Sequence, residues 1–113
     1  MRVITGTARG RVLKELEGLE TRPTTGKVKE SLFSIIQFDI EGRRVLDLFA
    51  GTGQLGIEAL SRGAAECVFI DRRADAVKLI RENLALCRLE DRARVRQGEA
   101  LPYLRSGEKF DIV

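Results

Sequence analysis

From Arg43 onward the sequence alternates short apolar runs with amphipathic segments, and this order constrains the fold more than any other feature. Three segments are predicted strands: the apolar run RVLDLFA, then ECVFID and ARVRQG. Helical periodicity marks the two intervening segments, QLGIEALSRG and ADAVKLIRENLALC. A short helix in EALPYLRSG and the start of a fourth strand in FDIV continue the pattern. Strands that alternate with helices in this way predict a doubly wound α/β sheet of parallel strands, whose ligands bind at the carboxyl ends of the strands.

The residues before this region follow a different pattern. RVITGTARGRVL alternates loosely and is interrupted by two glycines, which predicts a short hairpin or an extended arm. After Pro23, either Thr24 or Thr25 can cap a helix that contains KVKESLFSII. The buried stripe expected on this helix consists of Val28, Leu32, Ile35 and Ile36. We therefore divide the chain into an arm over residues 1–22 and a ligand-binding α/β part over residues 23–113.

The net charge of +3 lies entirely in residues 1–30. That segment holds seven Lys or Arg against four Glu, whereas residues 31–113 hold thirteen charges of each sign. A basic segment ahead of a neutral body indicates contact with a polyanion, most simply nucleic acid. A solvated basic face has the same composition, so charge alone leaves both interpretations open.

The residue types exclude several kinds of site. No histidine is present, so a histidine base and a zinc site built from Cys and His are both excluded. Cys67 and Cys87 have apolar neighbours and are predicted to be small buried hydrophobic residues. No apolar run has the length of a membrane span or of a signal peptide, so we expect a cytoplasmic protein.

The loop GTGQLG, from Gly51 to Gly56, follows the first strand and matches the G-x-G-x-x-G pattern of dinucleotide-binding loops. Asp71 lies twenty residues after Gly51, where such a site places a ribose-binding acid. An acid nevertheless stands in or just after each of the three strands: Asp47, Asp71 and Glu99. Carboxylates gathered at one edge of the sheet would repel a pyrophosphate. Asp47 is the strongest evidence against a dinucleotide, because a charge inside a buried parallel strand is costly unless it serves a function.

A sulfonium nucleoside accounts for these acids better than a dinucleotide does. S-adenosylmethionine carries a positive sulfur, an ammonium group, a ribose diol and an adenine amine, and it has no phosphate. Carboxylates can attract the cation and accept hydrogen bonds from the other groups. Gly51 and Gly53 would let the backbone approach the methionine part closely, because they have no side chain.

The segment DLFAGTGQLGIEALSRGA resembles the cofactor-binding loop of class I S-adenosylmethionine-dependent methyltransferases. Together with RPTTGKVKESLF and GTARGRVL, it makes the chain similar to the bacterial 16S ribosomal RNA guanine-N2 methyltransferase family along essentially its whole length. The resemblance implies a Rossmann-like methyltransferase sheet, S-adenosylmethionine as cofactor and methylation of the exocyclic amine of a guanine. It also implies ribosomal RNA, or an assembling small ribosomal subunit, as the partner.

The resemblance further implies the roles of individual residues. The methionine pocket is expected from Asp47, Phe49, Gly51 and Gly53, and the ribose contact from Asp71. Contacts to the adenine are expected from Glu99 and Ala100. Arg22, Thr24 and Thr25 are expected to cover the methionine end. RNA contacts are expected from Arg9, Arg11, Lys14 and Lys27. The family more often has Asp where Glu99 stands, and a first-turn acid favoured by the helix dipole explains Glu99 equally well.

The family's acceptor motif, an Asn or Asp followed by Pro-Pro and an aromatic residue, is absent, since the only prolines are Pro23 and Pro102. We therefore expect an amino-terminal fragment that binds cofactor and RNA but is inactive alone. The edge of its first strand would then be open to dimerisation or domain swapping. Two alternatives of other classes stay open: a fragment of an NAD-binding oxidoreductase and a non-catalytic RNA-binding module.

Overall fold

A computed structural model describes residues 2–15, 26–48, 50–99 and 110. Their elements follow the predicted order: α1 (Gly26–Ile36), β1 (Arg44–Leu48), α2 (Gln54–Ser61), β2 (Glu66–Asp71), α3 (Ala74–Cys87), a 3-10 turn (Glu90–Arg92) and β3 (Ala93–Gln97). The helix predicted in EALPYLRSG and the strand predicted in FDIV lie outside the described residues, apart from Glu99 and Phe110.

The three strands form a parallel sheet in the order β1, β2, β3, which confirms the predicted sheet. Val45 of β1 lies opposite Cys67 of β2, and Cys67 lies opposite Ala93 of β3. β1 is therefore an edge of the sheet among the described strands. In the described part of the chain, no helix has both the length and the apolar character that crossing a membrane requires.

The two faces of the sheet carry separate apolar clusters. One face presents Val45, Cys67 and Phe69 to α2 and α3, and it joins the larger cluster of the core. The stripe predicted on α3 is confirmed as buried, and its members are Val77, Ile80, Leu84 and Cys87. Both cysteines are buried, as predicted. On the opposite face, Phe110 packs against a second cluster, formed by Leu46, Val68 and Ile70.

The basic arm begins as a hairpin that packs on the core. Val3 and Arg11 are joined by a hydrogen bond of 3.0 Å from N to O, and an antiparallel bridge links Arg2 to Val12. Its inward side chains are fully part of the core, and they are Val3, Ala8 and Leu13. We call residues 2–14 the hairpin.

The orientation expected for α1 is wrong in part. Ile35 is 78% exposed and Leu32 is 42% exposed, whereas Phe33 and Lys29 are buried. This face of α1 is buried for electrostatic as well as apolar reasons, because Lys29 points to the buried acid Glu58 on α2. The Lys29 Nζ lies 3.1 Å from Glu58 Oε1, and the guanidinium of Arg62 lies 4.7 Å from the centre of the Phe33 ring.

Glu58 is completely buried, and each of its oxygens accepts two hydrogen bonds or charge contacts. Oε1 receives the N–H of Ile4 at 2.8 Å together with Lys29. Oε2 receives the N–H of Thr5 at 3.1 Å and Arg62 Nε at 2.9 Å. Burial alone would raise the pKa of Glu58, but these four donors outweigh it and lower the pKa below its ordinary value. The ionised acid thus ties the hairpin to α1 and α2.

We predict that Gly6→Ala destabilises the fold far more than Gly10→Ala. Both glycines have a positive φ, 92° and 83°, so alanine is strained by about 1 kcal/mol at either position. At Gly6 the added Cβ would also lie 1.7 Å from the Ser61 carbonyl oxygen, whereas nothing lies within 4 Å of a Cβ at Gly10. Urea unfolding should show a loss above about 3 kcal/mol for Gly6→Ala and about 1 kcal/mol for Gly10→Ala. Equal losses would contradict this packing of the hairpin on α2.

Candidate functional site

The glycine loop connects the carboxyl end of β1 to the start of α2, as predicted. Gly51 has a φ of 60°, and Gly53 has a φ of 83° and caps α2. The N–H groups of both glycines have acceptors within the protein. Gly51 donates to Asp71 Oδ2 at 3.0 Å, and Gly53 donates to the carbonyl oxygen of Ala50 at 2.8 Å.

Asp47 lies in β1 and reaches the first turn of α2. Its Oδ2 accepts the N–H of Gly56 at 3.1 Å, a contact that places a carboxylate at the positive end of the helix dipole. Gly56 lets α2 pack closely on β2, because a Cβ there would lie 2.3 Å from the Phe69 ring. In the part of the chain that the structure describes, no other hydrogen bond reaches the Asp47 carboxylate.

The pKa of Asp47 is raised from 3.8 to about 6. Burial is the largest cause, and the negative charge of Asp71 adds to it. The hydrogen bond from Gly56 acts in the opposite direction. Two of the predicted acids therefore lie close enough to interact, at the same edge of the sheet.

Asp71 joins the two loops at this edge. Its Oδ2 accepts from Gly51, and its Oδ1 accepts from the N–H of Arg73 at 2.9 Å. The Asp71 carbonyl oxygen also accepts from the N–H of Gly98 at 3.0 Å. The two side-chain bonds use about half of the four acceptor positions that a carboxylate offers, so the group can still bind a diol.

The remaining predicted cofactor residues are less fully described. Glu99 follows Gly98 directly after β3 and is exposed. The other five predicted positions lie outside the described residues: Arg22, Thr24, Thr25, Phe49 and Ala100. The structure thus brings together Asp47, Asp71 and the glycine loop, and it leaves the other cofactor assignments as predictions.

The predicted RNA-binding residues occupy different positions along the hairpin. Arg9 and Arg11 are exposed, and Arg9 lies near the turn that contacts Ser61, the last residue of α2. The Lys14 side chain is 59% exposed, at the other end of the hairpin. Lys27 lies in the first turn of α1, and its side chain is outside the described part.

The sequence did not identify two polar residues that hold this region together, Glu58 and Asn83. Asn83 is fully buried in α3, where it bonds to Lys14 and to Thr52 of the glycine loop. A signal was available, because Asn83 falls at helical spacing from Ile80 and Cys87, on the predicted apolar stripe. A polar residue on such a stripe needs buried partners.

Comparison with known proteins gives one family and several relatives. A family model described as Conserved hypothetical protein 95 matches residues 1–113. Ribosomal RNA small subunit methyltransferase D of Escherichia coli K12 is 41% identical over 115 residues, which cover all of this chain and 57% of that protein. YlbH of Bacillus subtilis 168, provisionally named an rRNA methyltransferase, is 49% identical over 109 residues, covering 96% of this chain and 59% of YlbH. The chain therefore spans less than two thirds of the length of these relatives.

Solved structures share the fold. A hypothetical protein of Thermus thermophilus superposes with a TM-score of 0.84 at 33% identity, covering 97% of this chain and 64% of that one. An O-methyltransferase of Bacillus cereus in complex with SAH gives a TM-score of 0.70 at 22% identity, covering 83% of this chain and 46% of that one, and it shares the fold alone. The predicted class I methyltransferase sheet is confirmed.

We predict that Asp47→Asn stabilises the fold at pH 8 by about 2 to 3 kcal/mol, since the raised pKa makes the ionised acid unfavourable in the folded state. The folded chain holds this proton more tightly than the unfolded chain, so wild-type stability falls as the pH rises from about 4 to about 6. The advantage of the variant should shrink to about 1 kcal/mol at pH 4.5 in urea unfolding.

Asp75→Asn is the control for this effect. Its side-chain hydrogen bond to Arg73 lowers the pKa of Asp75, so the ionised acid favours the folded state above its unfolded pKa. Asp75→Asn should therefore lose stability at pH 8, opposite in sign to Asp47→Asn. A loss of stability in both variants would contradict the burial cost assigned to Asp47.

Proposed function

The chain belongs to the family described as Conserved hypothetical protein 95, and from this premise we propose that it binds S-adenosylmethionine and ribosomal RNA. In the whole protein, the reaction is methylation of small-subunit ribosomal RNA at the exocyclic amine of a guanine. The relatives named above support an rRNA substrate. The resemblance of the glycine loop supports the methyltransferase class, and that of RPTTGKVKESLF supports the choice of the guanine amine.

One observation carries the choice of cofactor: the carboxylate of Asp47, a residue of β1, lies at the N-terminus of α2. In dinucleotide-binding folds, this helix end attracts the pyrophosphate through free N–H groups and the helix dipole. Here the N–H of Gly56 already donates to Asp47, and those of Gly51 and Gly53 also have internal acceptors. A diphosphate would meet the Asp47 carboxylate and three N–H groups that already have acceptors, whereas a cationic ligand would be attracted.

The residues present fit the parts of S-adenosylmethionine. When bound, this cofactor supplies an electrophilic methyl group on a cationic sulfur. Asp47 has unused acceptor capacity toward the cationic methionine end, and Asp71 has two acceptor positions for the ribose hydroxyls. Glu99 and Ala100 are proposed to contact the adenine, with Phe49, Arg22, Thr24 and Thr25 around the methionine end.

The hairpin is the proposed RNA-binding surface. Its cations run from Arg9, beside the last residue of α2, to Lys14, which shares Asn83 as a neighbour with the glycine loop. The helix α2, which has eight residues, is about 12 Å long. The cations along it can therefore contact several phosphates of an RNA strand whose target base lies beside the glycine loop. Lys27 would extend this surface from α1.

Methyl transfer requires a group that holds the guanine amine in line with the methyl donor. The resemblance assigns this task to an Asn or Asp before Pro-Pro, and the 113 residues contain no adjacent prolines. We therefore propose that this chain binds both ligands without transferring a methyl group by itself.

We predict that the chain binds S-adenosylhomocysteine and that NAD binds at least about 10-fold more weakly, because the diphosphate meets Asp47. Asp71→Asn should weaken S-adenosylhomocysteine binding by about 10-fold or more, since it removes the charged acceptor proposed for the ribose. Asp91→Asn, in the exposed 3-10 turn, is the matched control and should leave affinity unchanged. Isothermal titration calorimetry with each ligand gives the comparison, and tighter binding of NAD would overturn the cofactor assignment.

We predict that Arg9→Ala and Arg11→Ala each weaken binding of a single-stranded RNA. Each should also reduce the slope of log affinity against log salt by about 0.7, the value for one lost phosphate contact. Arg43→Ala removes an exposed arginine just before β1 and serves as the charge-matched control. Fluorescence anisotropy across salt concentrations measures the slopes. Equal slopes in all three variants would show that the hairpin adds net charge alone.

A further inference from the structure

Asn83 connects two segments that are far apart in the sequence. Its Oδ1 accepts the N–H of Lys14 at 2.8 Å. Its Nδ2 donates to the carbonyl oxygen of Lys14 at 3.1 Å and to that of Thr52 at 3.0 Å. Asn83 is 0% exposed. Its bond to Thr52 is buried, and its two bonds to Lys14 are partly buried. One side chain of α3 thereby holds both the end of the hairpin and the middle of the glycine loop.

Only an amide satisfies this arrangement. The two N–H groups of Nδ2 face two carbonyl oxygens, and Oδ1 faces an N–H, so the orientation of the amide is fixed by its partners. An aspartate at this position could still accept from Lys14, but it could not donate to Thr52. The link between the two segments thus depends on the amide group and not on the volume of the side chain.

The two segments are the ones to which the proposed function assigns different ligands. Thr52 lies between Gly51 and Gly53, whose N–H groups are held by Asp71 and Ala50. Lys14 belongs to the proposed RNA surface, and its side chain pairs with Glu82 at 3.5 Å. That ion pair is exposed and contributes little. The buried amide is therefore the stronger connection between the hairpin and the loop.

We infer that Asn83 is a positioning residue that couples cofactor binding in the glycine loop to RNA binding by the hairpin. A cofactor that holds the Thr52 carbonyl in this position also favours the position of Lys14 that Asn83 sets. By linkage, each ligand then raises the affinity for the other by the same factor. This inference rests on the proposed function.

The test compares RNA affinity with and without saturating S-adenosylhomocysteine, using a fluorescein-labelled single-stranded RNA of about twelve nucleotides, a length within the usual range of single-strand binding sites. For the wild-type chain we expect the cofactor product to tighten RNA binding about fivefold or more. Asn83→Asp should reduce this factor to less than about twofold, while each ligand still binds alone. Arg92→Ala is the matched control: it removes two bonds, to the carbonyl oxygens of Leu60 and Ala64, and should keep the wild-type factor.

The outcomes separate the inference from the function on which it rests. If the wild-type chain binds no S-adenosylhomocysteine, the proposed function fails, and the inference fails with it. If both ligands bind but the coupling is absent in the wild type, or is unchanged in Asn83→Asp, the inference alone is overturned. Equal loss of coupling in Arg92→Ala also overturns it, because general destabilisation would then explain the result.

Hydrogen exchange on the wild type keeps the inference testable if Asn83→Asp does not fold. S-adenosylhomocysteine should slow exchange of the Lys14 amide several-fold, because that amide donates to Asn83. The Val3 amide is the internal control, since it donates to the Arg11 carbonyl within the hairpin and should not respond. Equal protection of both amides, or none at Lys14, would overturn the coupling.

Discussion

The buried carboxylate of Glu58 is the interaction on which the placement of the hairpin and α1 depends. Two backbone N–H groups of the hairpin and two cationic side chains occupy its oxygens. An ion pair that loses one partner leaves an uncompensated buried charge, which costs about 3 to 5 kcal/mol. A shift of the hairpin would likewise remove two of the four donors. The hairpin therefore has a fixed position on α2, set by electrostatics together with its three buried apolar side chains.

Asp47 and Glu58 show how similar acids can serve opposite purposes. Glu58 has four donors, and its pKa is lowered despite complete burial. Asp47 has one donor among the described residues, and its pKa is raised to about 6. A structural acid uses up its acceptor positions within the protein, whereas an acid that keeps them can respond to a ligand. This contrast supports the proposal that Asp47 belongs to the cofactor site, independently of the glycine spacing.

The sequence predicted the alternating part of the fold well because its signals are local. Each strand from β1 to β3 is one short segment between helical patterns, and α3 shows its buried stripe in four residues of helical spacing. The buried face of α1 could not be read in this way. Hydropathy favours Ile35 over Lys29 as a core residue, whereas the position of Glu58 on another helix favours burial of Lys29, on the same side as Phe33. The candidate site was likewise predictable in part. The acids at the strand ends could be predicted, because parallel strands bring their carboxyl ends to one edge of the sheet. Their partners were not, since the bonds that Gly56 and Gly51 donate to these acids depend on the path of the loop.

These contacts make α2 the common support of both proposed ligand sites. Its first turn receives Asp47, and its last turns receive the hairpin through Glu58 and Ser61. At Glu58 the fold stabilises the ionised carboxylate, so ionisation increases the stability of the folded chain. At Asp47 ionisation has the opposite effect, since an ionised carboxylate in this strand lowers stability at neutral pH. A cationic ligand bound as proposed would lower the pKa of Asp47 and favour the ionised carboxylate, so its binding would offset the stability that the fold loses at this group.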